Sequence, residues 1–443
     1  MSKSFSMSNI ARYAGIWLAL AIVFGGAYKS PLGNISTAHI IVIWAILLLV
    51  CFLMSPSRQW ARLYILNTKK YRLYYLIMSL MFIVSAFNYL IMNVGDEFFF
   101  SMQIKRLLLA FISFLLFPLI LNALIYSLTP KQIFFSVLTF MFLLAVFSLF
   151  QLGNSDFRLW FLDRTAIDGY WLEWAKQSNR AIGLKAMSIW DTSVAYSIFI
   201  FICFGIIRSN KDDVSNFPLY IFIATIFVLV ALSGRTGLLF LFSFLFLLCV
   251  LYEKKKLILF FSVSLVIIIL MIITLSQNEV IVRVINFALE LFVNALSGNF
   301  HTNSTDDLIN NHLFIPDIKN IIFGDNTFIG DGEEVQSELS RSSDSSFVIN
   351  YVAYGVFGVI CTMLLMLINA TVFFDFFMLT KKNKFYYIVL LVCFLLCFGL
   401  YIKALVYISA TLLKAMIFVS VFINRVKSFD DNNNRRLFLD EKN

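Results

Sequence analysis

The sequence predicts an all-α polytopic membrane protein of about twelve transmembrane helices with one large, partly helical exterior loop, and three observations carry that prediction. Its residues are 60% hydrophobic and only 14% charged, against roughly 45–50% and 25% in a soluble domain, and its mean hydropathy is +0.85. Apolar runs long enough to cross a hydrocarbon core of ~30 Å recur along the chain. One stretch, 276–346, interrupts them by turning acidic and hydrophilic before apolar sequence resumes.

The predicted spans are 10–28, 37–54, 73–93, 107–126, 133–152, 190–207, 218–232, 237–252, 257–275, 347–374, 385–401 and 404–423. Lipid offers no partners for backbone N–H and C=O groups, so each continuous run must be helical. The layout is therefore helices over 1–275 with a smaller exterior loop at 153–189, the large loop at 276–346, three helices over 347–424 and a basic tail at 425–443. No fixed-period repeat and no duplication of halves is visible. Six prolines beside fifty phenylalanines leave little room for disordered linkers.

Orientation follows from the basic residues, which collect in cytoplasmic loops. Arg58, Arg62, Lys69, Lys70, Arg72, Lys254 to Lys256, Lys381, Lys382, Lys384, Arg425, Lys427, Arg435 and Arg436 all fall on one side of a twelve-span layout. Both termini are then cytoplasmic and the acidic loop is exterior. Topology accounts for the net charge of +9, so no nucleic-acid partner is implied. The first apolar run is too long for the core of a cleavable signal and reads as an uncleaved helix. All six cysteines lie in or at the ends of predicted spans, which argues against disulfides and thiolate metal sites; no metal or cofactor is expected.

Loop 153–189 mixes charges with Trp160, Trp171 and Trp174, a pattern that suits an interfacial helix or a stacking surface for sugar rings. In the large loop, Asn278 to Ala295 has the spacing of an amphipathic helix, a short helix is expected around Asp306 to Ile315, and Gly324, Gly330 and Gly332 read as turns in a mobile cover.

Exterior cations stand against the charge rule. Arg235 sits in Ser233-Gly234-Arg235-Thr236-Gly237, between two spans that leave almost no loop. It is either a snorkelling anchor or an anion site, and a guanidinium can grip a diphosphate with paired, charge-assisted bonds. Lys403 and Lys414 fall about three helical turns apart, which on one helix puts them on one face, the second about 16 Å deeper. Asp191 and Asp375 are the carboxylates that could pair with such lysines. Asp344, at the exterior start of a span, is either an N-cap or a site carboxylate; Asp317, Asp325 and Glu338 are further candidates.

Phe323-Gly324-Asp325, Ser340 to Phe347 (Ser-Arg-Ser-Ser-Asp-Ser-Ser-Phe) and the following Gly355 and Gly358 resemble the end of the exterior loop in Wzy-type O-antigen and polysaccharide polymerases. Asn179 to Leu184 resembles the "RxxGL" approach of those polymerases and of O-antigen ligases, and Ser233 to Gly237 resembles their "S-x-R-x-G/A" step. The resemblance implies a metal-independent glycosyltransferase at the periplasmic face of the bacterial inner membrane. It would polymerise undecaprenyl-diphosphate-linked oligosaccharide units, in contact with membrane lipids and with a chain-length regulator protein. Carried onto this sequence, Arg180 and Arg235 would bind the leaving diphosphate and Asp344 would lie near the acceptor, with Arg341, Lys403, Lys414, Asp325 and Lys185 as further substrate contacts. Ligases place a histidine near the end of this loop, and none follows His312 before the next span, which favours polymerase over ligase. A lipid-linked oligosaccharide flippase would spread its charges through the helices and keep its loops short.

Overall fold

The structure, a computed structural model, describes residues 7–31, 33–54, 64, 68–125, 128–167, 169–178, 180–186, 190–209, 214–252, 306–330, 342–378 and 385–440. Its long elements are helical. In chain order they are α1 (Met7–Phe24), a hairpin of β1 (Ala27–Ser30) and β2 (Gly33–Ser36), α2 (Thr37–Met54), α3 (Lys69–Leu90), α4 (Glu97–Ile125), α5 (Pro130–Gly153), short α6 (Ser155–Leu162) and α7 (Gly169–Gln177), α8 (Trp190–Ile207), α9 (Asn216–Ser233), α10 (Arg235–Tyr252), α11 (Ser346–Phe377), α12 (Tyr386–Lys403) and α13 (Ala410–Asp440). Among the described residues seven helices are long and apolar enough to cross a membrane, namely α3, α4, α5, α8, α9, α11 and α12, with shorter apolar helices at Arg12–Phe24, Thr37–Val50 and Arg235–Cys249. The protein is an all-α multi-pass membrane protein. The expected span at 257–275, the amphipathic helix at Asn278 to Ala295, and Gly332, Glu338 and Arg341 lie outside the described residues.

Local sequence sets the helix ends. Thr129 and Gln132 form a reciprocal capping box with Pro130 in the first turn, which starts α5 where orphan N–H groups need acceptors. Asp96 caps α4 by accepting from Phe99 N, so α4 begins ten residues before the expected 107 and takes Lys105 and Arg106 into the helix. Helix α8 is the axis of the bundle: its apolar window is 89% buried, against 28–56% for the other long helices. It packs on α9, α10 and α13, while α11 packs on α3 and α12.

Three expectations are corrected. The first span, expected over 10–28, ends at Phe24, and Ala27–Ser30 form a two-stranded antiparallel hairpin with Gly33–Ser36. The hairpin is extended by Lys29 N donating to Arg164 O (2.8 Å) and Ala166 N donating to Ala27 O (2.9 Å), which fasten the 153–189 segment onto it. Lys403 and Lys414 do not share a helix. Lys403 ends α12 and Lys414 lies on α13; extended Ala404 and a 3-10 turn at Val406–Ile408 separate them, so helical rise does not relate the two. Ser346 holds that interruption, its hydroxyl accepting from Val406 N (3.1 Å) and donating to Ala404 O (2.5 Å).

The third correction concerns Gly324 and its neighbours, which are fixed and not a loose cover. Helix α11 breaks at Gly355 (φ 62°, ψ −151°), and the 320–326 segment fills the break. Asp325 N donates to Val352 O (2.8 Å), Asn326 N to Ala353 O (3.2 Å), Val356 N to Ile321 O (2.8 Å) and Phe357 N to Ile322 O (3.2 Å). The helix gives up its own ladder and the loop replaces it, as buried backbone groups require. Ser85 and Asn88 of α3 complete the joint, with Ser85 Oγ donating to Asn326 Oδ1 (2.7 Å) and Asn88 Nδ2 to Phe323 O (2.9 Å).

Candidate functional site

The Arg180 segment is clamped on three sides. Ala181 N donates to Leu232 O (3.0 Å) at the end of α9, one turn from Arg235. Buried Gln151, on the last turn of α5, exchanges two bonds with the Gly183 backbone (3.0 and 3.2 Å), and Tyr28 OH donates to Leu184 O. Gly183 has φ +58°, a value glycine adopts without strain. Arg235 is set by the glycines around it. A Cβ on Gly237 would meet Ser193 O at 2.4 Å, so only glycine lets α10 approach α8 this closely, and Ser193 Oγ accepts from Gly237 N (3.2 Å).

Four expected residues fall within Coulombic range around Lys403. Arg180 and Arg235 act on each other electrostatically, and both act on Lys403, as does Asp344. Arg180 is half-buried with its guanidinium carbon 5.8 Å from the centre of the Trp174 ring, within the ~6 Å reach of a cation–π contact. Burial, then the Arg235 charge, brings its pKa down to about 10, well below the usual guanidinium range. Like charges crowded into a partly dehydrated site favour an anionic guest, since each would be stabilised by it. Asp344 is exposed. It is not the helix cap: Ser345 holds that position, with no side-chain capping bond.

Other expected contacts lie elsewhere. Lys185 pairs with Asp191 (2.7 Å), which also accepts from Ser409 Oγ (3.0 Å) and from Thr192. Lys414 sits within Coulombic range of both and donates to Ile22 O near the end of α1 and to Thr37 Oγ1 (3.4 Å). Asp375 pairs with Lys70 (2.6 Å). The Asp325 carboxylate accepts from Lys319 N and Asn320 N (each 3.0 Å), bracketing the turn that enters the α11 break.

No protein-family model matches the chain, and no curated protein does. The resemblance to polymerases therefore rests on short motifs and their order, and the structure supplies a physical reason for the glycines in them. A Cβ on Gly324 would meet Tyr354 N at 2.4 Å, one on Gly355 would meet Ile321 O at 2.4 Å, and one on Gly358 would meet Asn350 O at 2.3 Å.

Sequence reasoning missed Gln151, which reads as one polar residue at the end of an apolar span. It also missed Arg106, placed in a loop by a span boundary set too late. The signal for Arg106 was Asp96-Glu97, an acidic helix start.

Proposed function

We propose that the chain is a membrane glycosyltransferase of the polysaccharide-polymerase type, with twelve spans, a large periplasmic loop and both termini in the cytoplasm of a bacterial cell. One observation supports this above the others: Arg180 and Arg235 lie within Coulombic range of each other, and both of them and Asp344 lie within Coulombic range of Lys403. That set fits a sugar diphosphate. In the reaction the acceptor hydroxyl oxygen attacks the anomeric carbon, and the bond from that carbon to the diphosphate oxygen breaks. The departing diphosphate keeps the electron pair, and Arg180 and Arg235 stabilise its growing charge. Asp344 accepts the acceptor's hydroxyl proton as the new glycosidic bond forms. The paired tryptophans Trp171 and Trp174 (ring centres 6.3 Å apart) lie beside Arg180, where a glycan could stack.

Arg180→Ala and Arg235→Ala should each abolish long-chain glycan in a complemented deletion strain while single repeat units still reach the surface, with Arg→Lys restoring only part of the ladder. Asp344→Asn should slow turnover of purified lipid-linked units at least tenfold. Wild-type ladders from both arginine variants would reject the proposal. The ligase alternative keeps one supporting observation: the backbone oxygen of His312 accepts from Ser343 Oγ (2.7 Å), which holds a histidine next to the segment carrying Asp344. A deletion strain that keeps full-length polymer on its carrier lipid would favour that reading.

A further inference from the structure

Two short apolar runs meet beside the break in α11. Ile321, Ile322 and Phe323 precede Gly324, and the first two are 60% and 63% exposed. Leu90 ends α3 and is followed by Ile91 and Met92; Leu90 and Ile91 are 64% and 66% exposed. Asn88 Nδ2 on Phe323 O (2.9 Å) and Asn326 Nδ2 on Val94 O (3.1 Å) hold the two runs against each other. An exposed apolar patch of this kind marks contact with a membrane or with another protein.

The backbone beneath Ile321–Phe323 is arranged as lipid demands. Val356 N and Phe357 N donate to Ile321 O and Ile322 O, and Asn88 Nδ2 donates to Phe323 O. Ile322 N and Phe323 N both donate to Asn320 Oδ1 (3.2 and 3.0 Å). All three carbonyls and the N–H groups of Ile322 and Phe323 are thus paired inside the protein. A turn bathed in water gains little from such pairing, because water would serve as well. Non-helical backbone at the depth of a membrane requires it.

Helix rise gives the depth. Lys70 of α3 and Asp375 of α11, paired at 2.6 Å and both partly exposed, mark one edge of the hydrocarbon core, because charges are costly inside it. From that pair α3 runs twenty residues to Leu90, and α11 runs back nineteen to Val356. At ~1.5 Å per residue each path covers about 28–30 Å, against a core of ~30 Å. Both apolar runs therefore stand at the opposite edge. They also continue the exposed stripes that meet acyl chains, Leu80, Ile83 and Phe87 on α3 and Val356, Ile360 and Met363 on α11. We infer that Ile321–Phe323 and Leu90–Met92 form an apolar wedge seated among the acyl chains of the leaflet opposite the Lys70–Asp375 pair, fixing this part of the 306–330 segment to the bilayer. The wedge stands whether or not the chain is a glycosyltransferase.

The test is photocrosslinking of the purified full-length protein in liposomes of phosphatidylethanolamine and phosphatidylglycerol. The photoreactive residue p-benzoylphenylalanine replaces Ile322, Met92 or, as the control, Asp317, an exposed carboxylate of the same loop segment. Mass spectrometry should find lipid adducts at positions 322 and 92 at least tenfold more abundant than at 317. Adducts at 322 no more abundant than at 317 overturn the inference. A cross-linked dimer, or a cross-link within the chain, as the main product at 322 overturns it as well, because protein then covers the patch. If the protein altered at 322 does not fold, position 92 reads the same wedge from a separate element: tenfold enrichment of lipid adducts there upholds it, and none overturns it.

Discussion

A guanidinium half-buried beside a second one is held at a cost, and Arg180 shows the sign of it. Its pKa falls from the usual guanidinium range to about 10, through burial first and the Arg235 charge second. A cation whose folded-state pKa is depressed destabilises the fold while protonated, so this penalty is present through neutral pH. It is relieved as pH rises through about 10. An anionic guest reverses the balance by favouring the protonated form. The ratio of pyrophosphate affinities of wild type and Arg180→Met, in which the ligand's own ionisation cancels, should be measured by calorimetry on the solubilised proteins and should fall as pH rises through about 10 and Arg180 loses its proton. On an Arg235→Ala background the fall should move to higher pH, because one cause of the depression is gone. A fall at the same pH on both backgrounds would mean that the two guanidiniums do not sense each other. Arg235 stood out in the sequence because its motif leaves almost no loop between two apolar runs, and Arg180 because its segment resembles a family motif that implies a shared diphosphate. The bonds that place the two segments side by side, from Ala181 to Leu232 and from Gln151 to Gly183, join residues distant in sequence and were not legible.

At the scale of elements, the junction between the 320–326 segment and α11 organises this end of the bundle. Apolar content alone made 347–374 read as one uninterrupted span, and glycine is common enough in membrane helices that Gly355 carried no warning. What breaks the helix is non-local: the backbone of Ile321, Ile322, Asp325 and Asn326 supplies the bonds that the helix gives up. Gly355→Ala should be severe. A non-glycine residue at φ +62° costs about 1–3 kcal/mol, and the new Cβ would also meet Ile321 O at 2.4 Å. The expected result is a clearly lower unfolding temperature together with protease sensitivity confined to the segment around Gly324. Gly399→Ala, where nothing lies within 4 Å of the added carbon, should leave both unchanged. Equal behaviour of the two variants would mean that the break is not held by backbone pairing.

Across the whole molecule the seven long apolar helices among the described residues were readable because hydrophobicity is a local property, whereas the tie that closes the bundle joins residues distant in sequence. Asp191 on α8 takes Lys185 from the clamped loop and Ser409 from the α12–α13 turn, while Lys414 on α13 reaches back to Ile22 and Thr37. No spacing rule relates residues 22, 37, 185, 191, 409 and 414. The expectation that Asp191 pairs with a buried lysine had the right carboxylate, but its bonded partner is Lys185. Removing one member of a buried pair typically costs about 3–5 kcal/mol, because the other charge stays desolvated without compensation. Here Asp191→Asn leaves two ammonium groups, Lys185 and Lys414, around a neutral amide. Its unfolding temperature in detergent should drop well below wild type. Lys185→Met/Asp191→Leu, which removes both ends of the pair, should recover part of that loss. If the double variant is less stable than Asp191→Asn, the carboxylate is not compensating Lys185 and the tie must be sought in the Ser409 and Thr192 bonds.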